Sequence, residues 1–328
     1  MVSLNPKLAE SRDSGATPNQ AIASKFLASL SDRYVVDRLL GTGGMGAVYL
    51  ARDAKLGRPV AIKVVYSEVA DRVDPERFLR EIRLTAGLQH PHILPVIDSG
   101  CVDGVLYYIT PYLSEGSLHS LLEREGPLSL ERATAIALDV LEALEYAHEQ
   151  GVVHCDIKPE NILLSHGHAI LADFGIATTT KTMGRRNRED VWGSPAYVSP
   201  EQASGDQSID GRSDLYSLGC VLYEMLAGSQ MFTGANTMEV VAKRFSPPPH
   251  LDTVCPSVPR RVAAAVSRAI AVDPDARFST ARALGLELAG ALRDPRRPSQ
   301  SVLRHAGLRP KIARWVRGGT LLLAFLVG

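Results

Sequence analysis

Asp156, Asn161 and Asp173 fall within 18 residues of one another, in His154-Cys155-Asp156-Ile157-Lys158-Pro159-Glu160-Asn161 and Leu171-Ala172-Asp173-Phe174-Gly175. Their oxygens are the hard donors that magnesium takes, and a carboxylate among them can accept a hydroxyl proton. Upstream, Lys63 follows Val60-Ala61-Ile62 in an apolar run. A lysine in such a run is costly to bury unless it is paired or anchored on an anion. Glu81 lies 18 residues further on, in Phe78-Leu79-Arg80-Glu81-Ile82, and offers the opposite charge. Both could be plain surface charges, but the apolar setting of Lys63 argues against that. Earlier still, Gly41-Thr42-Gly43-Gly44-Met45-Gly46-Ala47-Val48 is a G-x-G-x-x-G-x-V string. Alone it reads equally well as a glycine-rich hairpin turn. A dinucleotide-binding reading requires a helix after the glycines, whereas Val48 and Leu50 alternate as in a strand. A strand–loop–strand lets backbone N–H groups cover phosphates where side chains would block the approach.

The elements that must position these groups change character along the chain. Tyr34–Val36, Val48–Leu50, Val60–Val65, Ile93–Ile97 and Val105–Thr110 have strand-like texture, with helical spacing over Pro75–Leu88. After Gly116 the texture becomes helical. Leu128–His148 carries Leu130, Ala133, Ala137, Leu141 and Leu144 at three-to-four spacing, and Ser129 is its expected N-cap. Further helices are expected over Asp214–Leu226, Met238–Phe245, Val262–Ala271 and Ala281–Leu292. No repeat appears at solenoid periods. The expected architecture is a small β-rich lobe followed by a larger helical one, with a ligand cleft between them.

Taken in this order, the three elements resemble those of a eukaryotic-type protein kinase, of the bacterial serine/threonine branch. Gly-Gly-Met-Gly, Ser-Pro-Glu-Gln and Ile-Lys-Pro-Glu-Asn are typical of that branch, and Ser199-Pro200-Glu201 stands where the family has Ala-Pro-Glu. The resemblance implies a bilobal α+β fold over residues 34–292, with an N-lobe at 34–113 and a C-lobe at 114–292. It implies ATP as substrate, with magnesium, or manganese in its place, held by Asn161 and Asp173. Asp156, Lys158 and Asn161 would be catalytic: Asp156 accepts the proton and Lys158 neutralises the γ-phosphoryl oxygens. Leu40, Gly41, Thr42, Gly43, Gly44, Met45, Gly46, Ala47 and Val48 would close over ATP, and Lys63, oriented by Glu81, would hold its α- and β-phosphates. Val48, Ala61 and Leu163 would sandwich adenine, with Thr110 as gatekeeper and Pro111, Tyr112 and Leu113 as hinge. Asp214 matches the residue that anchors the catalytic loop, Arg277 the arginine that pairs with Glu201, and Ser194 a hydroxyl near Asp156.

Two residues depart from the pattern. Cys155 replaces the arginine that clamps a phosphorylated activation segment by a bidentate contact. That implies activity without such a clamp, although Thr178, Thr179, Thr180 and Thr182 lie in the segment. Cys155 itself reads either as a redox switch or as a buried inert thiol. Thr85, four residues after Glu81, stands where the family packs an apolar side chain between the lobes, and reads as a satisfied hydroxyl or as looser helix docking.

The chain has 328 residues, 45% of them hydrophobic, which is ample for a core and excludes a disordered protein. Thirty-six basic residues balance 36 acidic ones, which argues against a nucleic-acid partner. Four scattered cysteines without a C-x-x-C pair argue against a zinc ribbon or a disulfide framework, and favour a reducing compartment. Residues 1–33 read as a leader of low information with no apolar secretory stretch. From Ala291 onward, eight basic residues face one acid. Residues 293–317 resemble a basic juxtamembrane linker, and the apolar residues 318–328 rise only about 16 Å as a helix, against a hydrocarbon core of about 30 Å. The expected setting is cytoplasmic, at the inner face of the membrane if the basic tail touches it.

The expected activity is phosphoryl transfer from ATP to serine and threonine hydroxyls of proteins, the chain itself among them by self-association. A pseudokinase acting as a nucleotide-responsive binding module is the alternative, and a small-molecule phosphotransferase a third reading.

Overall fold

The computed structural model describes residues 26, 29–43, 46–65, 75–174, 195–206, 208–246 and 248–293. Five strands, β1 (Tyr34–Gly43), β2 (Gly46–Asp53), β3 (Pro59–Val65), β4 (Asp98–Val102) and β5 (Val105–Pro111), form an antiparallel sheet in the order β1-β2-β3-β5-β4. The two-residue period of a strand explains how it packs. Val105, Tyr107 and Ile109 of β5 join Ile62 and Val64 of β3 in one apolar cluster. Leu106 and Tyr108 face the other way, packing with Val65, Phe78 and Ile82 under α1 (Pro75–Ala86). Lys63 alternates with Ile62 and Val64, so it belongs to the face that α1 covers. The outer cluster also takes in Phe26, which is 1% exposed and meets the Tyr107 ring with centroids 5.1 Å apart.

The stretch Ile93–Ile97, expected to be a strand, is not one. Ile93 makes a single parallel bridge to Leu171, and the strand begins at Asp98. Pro95 has no N–H for a ladder, and Ile97 N–H bonds Ile109 O as an isolated contact of 2.7 Å.

The second lobe is helical. Its helices are α2 (Leu118–Glu125), α3 (Leu130–Glu149), α4 (Pro200–Ser204), α5 (Gly211–Ala227), α6 (Thr237–Ala242), α7 (Leu251–Val254), α8 (Arg260–Ala269) and α9 (Ala281–Arg293). Ser129 caps α3 as expected, its side chain accepting Arg132 N–H at 3.2 Å. One continuous apolar core runs from α3 through α5 to α8 and α9. A two-stranded hairpin, β6 (Ile162–Ser165) and β7 (His168–Leu171), lies between the lobes. This is the bilobal α+β arrangement expected from the sequence. Gly44, Met45, Gly175, Thr178–Thr182, Ser194 and residues 294–328 lie outside the described residues. No helix among the described residues is long and apolar enough to cross a membrane.

Candidate active site

The segment before Asp156 is held from below by α5. Asp214 is fully buried, and its carboxylate accepts His154 N–H at 2.9 Å, Cys155 N–H at 2.8 Å and His148 Nε2 at 2.8 Å. His154 Nε2 lies 2.8 Å from Ala172 O, and its Nδ1 accepts Asp156 N–H at 3.2 Å. A carbonyl only accepts and an amide N–H only donates, so the ring is neutral with its proton on Nε2. Burial agrees, holding this imidazole below its ordinary range. Its ring meets Phe174 edge-on at 4.6 Å.

Two residues of this framework adopt the left-handed region, Cys155 at φ +63° and Asp173 at φ +65°. Without glycine this costs about 1–3 kcal/mol each, which surrounding bonds must offset. At Cys155 the N–H goes to Asp214 and the carbonyl accepts Gln202 Nε2 at 2.9 Å. Gln202 is itself fixed by a reciprocal capping box with Ser199 at the start of α4. The next residue, Asp156, is thereby aimed at the cleft. Its Oδ2 lies 2.8 Å from Lys158 Nζ and 3.0 Å from Asn161 Nδ2, which also donates to Asp156 O at 2.9 Å. Burial disfavours the Lys158 charge, but Asp156 outweighs it and raises the ammonium above its ordinary range.

Across the cleft, Asp173 joins the lobes. Lys63 Nζ reaches its Oδ2 and the Tyr108 hydroxyl donates to its Oδ1, each at 2.5 Å. Lys63 and Tyr108 are cross-strand neighbours on β3 and β5, so the sheet register delivers both groups to one carboxylate. Burial works to raise the Asp173 carboxyl, but the Lys63 charge and these two hydrogen bonds hold it below the usual carboxylate range. Tyr108 is pushed well above its ordinary value, by burial first and then by Asp173.

The residues present fit a nucleotide and a divalent cation. A Cβ added at Gly41 or Gly43 would meet nothing within 4 Å, so protein packing does not explain these glycines, and open space lies beside the backbone. At Gly46 a Cβ would meet Val64 O at 1.9 Å, so that glycine is needed for β2 to approach β3. Asp173 and Asn161 supply oxygen atoms of the kind a divalent cation takes.

A family comparison agrees with this geometry: the protein kinase domain family matches residues 34–287. The chain belongs to that family. Among its relatives, serine/threonine-protein kinase PknB of Mycobacterium tuberculosis is 39% identical over 274 residues, covering 79% of this chain and 43% of its own length. Serine/threonine-protein kinase PknJ of the same species is 38% identical over 268 residues, covering 79% of this chain and 45% of its own. PknB of Mycobacterium leprae is 38% identical over 273 residues. The chain thus spans under half the length of these relatives.

Within the kinase fold, Leu40, Gly41, Thr42 and Gly43 lie on β1 and Gly46, Ala47 and Val48 on β2, where Val48 pairs with Lys63. Ala61 on β3 pairs with Thr110 on β5, Tyr112 and Leu113 follow that strand half-buried, and Leu163 is half-buried on β6. Glu81 lies on α1, but its side chain is outside the described residues. The expected pairing of Arg277 with Glu201 is present, with two bonds of 2.6 and 2.7 Å, and Ser213 Oγ adds a third to Glu201 at 2.6 Å. Thr85 is a satisfied hydroxyl, bonded to Ile82 O at 2.9 Å. All four cysteines are described, and none is in a disulfide. Sequence reasoning missed Tyr108 and the bond from Gln202 to Cys155. The first was open to detection, because Tyr108 and Thr110 share a face of a strand already recognised.

Proposed function

We propose that this protein transfers the γ-phosphoryl group of ATP to serine and threonine hydroxyls of proteins, with residues 34–292 as the catalytic unit. The observation that carries this reading is Asp156, held by Lys158 and Asn161, together with the Lys63–Asp173 pair that joins the two lobes. Asp156 accepts the proton of the attacking hydroxyl, and Lys158 offsets charge on the phosphoryl oxygens as the bond to the leaving group loosens. Asn161 keeps Asp156 oriented through its amide while its own oxygen serves the cation. Magnesium, or manganese, bound by Asp173 and Asn161 supplies neutralisation of phosphate charge. The β1–β2 backbone from Leu40 through Val48 covers the phosphates, Lys63 holds the first two and Glu81 orients Lys63. Val48, Ala61 and Leu163 enclose adenine, with Thr110, Tyr112 and Leu113 along its edge.

The reading is tested by following transfer from Mg-ATP to a protein acceptor. Asp156→Ala is expected to lower kcat by roughly 10²–10⁴-fold. Full turnover by the variant would remove Asp156 from its role, and ATP binding without transfer by the wild type would make the protein a nucleotide-responsive binding module.

The catalytic loop works here without an arginine clamp, because Asp214 and Gln202 between them hold both backbone polar groups of Cys155. Phosphatase treatment is therefore expected to leave activity within twofold, in the order-of-magnitude sense that no bidentate Arg–phosphate contact is lost. Self-association for phosphorylation between copies, and a cytoplasmic setting with the basic stretch 293–317 resting on an anionic leaflet, complete the proposal. Equal pelleting of intact and tail-deleted protein with anionic vesicles would remove the membrane contact.

A further inference from the structure

The loop after α1, helix α3 and strand β7 bring together His92, Asp139 and His168, with one ligand atom from each within 4.8 Å of the others. We propose that these side chains bind a zinc ion, with Glu142 completing a tetrahedral set. Two imidazoles and carboxylates are an N/O donor set that zinc favours. His92 Nε2 lies 3.6 Å from Asp139 Oδ1 and 3.8 Å from Glu142 Oε2, and His168 Nδ1 lies 3.2 Å from Asp139 Oδ2. Tetrahedral bonds of about 2.0–2.1 Å separate ligand atoms by roughly 3.3 Å. The His168–Asp139 contact matches that separation. The three side chains, spread over up to 4.8 Å with Asp139 turning a different oxygen to each imidazole, close on the ion by side-chain rotation.

The hydrogen-bond geometry points the same way. His92 Nδ1 lies 2.8 Å from Ala169 O, and a carbonyl only accepts, so the proton is on Nδ1. The Nε2 atom then faces two carboxylates at 3.6 and 3.8 Å, too long for hydrogen bonds. A cation between them satisfies all three. The outer contacts are also those of a prepared site: Ala169 orients His92 through its carbonyl and Asp139 through its N–H, which donates to Oδ2 at 2.9 Å. The His92 and Asp139 side chains are 12% and 18% exposed and His168 is 66% exposed, giving a shielded floor with an open entrance. His90 stays outside, stacked on Tyr146 at 5.3 Å.

The ion would join three elements that matter to the cleft. Leu171 N–H bonds His92 O and Leu94 N–H bonds Leu171 O, each at 2.9 Å, so the loop after α1 and β7 already form one unit. That strand continues directly into Ala172 and Asp173.

The test uses the full chain, stripped of metal by a chelator and free of nucleotide. Zinc is added in a calorimeter, and cobalt(II) serves as a visible-absorbing substitute. Wild type, His168→Asn and Asp173→Asn are compared, the last disabling the cation position in the cleft. One zinc is expected to bind wild type and Asp173→Asn alike, with the intense cobalt absorption of tetrahedral coordination. In His168→Asn the affinity is expected to fall by at least about tenfold, the smallest loss seen when even an outer partner of a metal ligand is removed. Because His168 is exposed, the metal-free unfolding midpoint should not change. A loss below tenfold in His168→Asn, or zinc binding abolished by Asp173→Asn, overturns the assignment.

Discussion

The two walls of the cleft are built differently. On the C-lobe side, the segment His154–Asp156 is bonded to the buried carboxylate of Asp214 and to Gln202, which the Ser199 capping box fixes, and the neighbouring Glu201 is held by a bidentate pair with Arg277. The N-lobe side is an edge hairpin with open space at Gly41 and Gly43, and among the described residues its polar link to the C-lobe side of the cleft is Lys63 and Tyr108 on a single carboxylate. The contrast fits the division of labour in phosphoryl transfer. In the proposed reaction the proton acceptor must be in place beforehand, whereas the nucleotide side must admit and release a ligand.

Asp214→Ala tests the rigid wall most severely. It leaves the N–H groups of His154 and Cys155 buried without their acceptor and His148 without its partner, and should cost about 3–5 kcal/mol in denaturant unfolding. A loss under 1 kcal/mol would mean that the strained turn at Cys155 is held by something other than α5.

A smaller effect, about 2–3 kcal/mol, is expected for Glu201→Gln, which keeps an acceptor but leaves Arg277 buried without its counter-charge. Its pH dependence sharpens the comparison. Burial works to raise the Glu201 carboxyl, but Arg277 and Ser213 outweigh it and hold the group below its ordinary 4.5. A depressed carboxylate stabilises fully above its unfolded value and loses that contribution as pH falls through the folded one. The gap between wild type and Glu201→Gln should therefore be constant near neutrality and close progressively below about pH 4.5. A gap that persists in strong acid would indicate packing, not charge.

On the N-lobe side, two glycines should separate. Gly46→Ala drives a Cβ into the Val64 carbonyl and should cost about 1–3 kcal/mol of stability. Gly41→Ala meets nothing in the protein, so its unfolding midpoint should match wild type while KM for ATP rises. If Gly41→Ala instead destabilises the fold with KM unchanged, the space beside β1 is not reserved for a ligand.

How much of this could be read beforehand depended on distance along the chain. Asp156, Lys158 and Asn161 lie within six residues, and their side chains meet because a single turn at Pro159–Asn161 folds the segment back. Lys63 was recognisable by its misplaced charge. Its partner Asp173 and the neighbouring Tyr108 were not paired with it in advance, because that pairing depends on the β3–β5 register and on how the lobes meet. Gln202 bonds a carbonyl 47 residues away, and no local pattern announces such a contact. The misread strand over Ile93–Ile97 failed for a local reason that was visible: Pro95 at its centre removes a ladder donor, and Pro91 lies two residues before its start.

Phe26 gives one practical warning. The family match starts at Tyr34, yet this ring eight residues earlier is packed into the sheet's outer cluster against Tyr107. Trimming the protein at the homology border would strip a lid from that cluster and open a phenyl-sized hole. Excising a buried phenylalanine typically costs about 3–5 kcal/mol, enough for a shortened kinase to precipitate although every motif residue is still there. The unit that folds and the unit that is inherited need not share an edge.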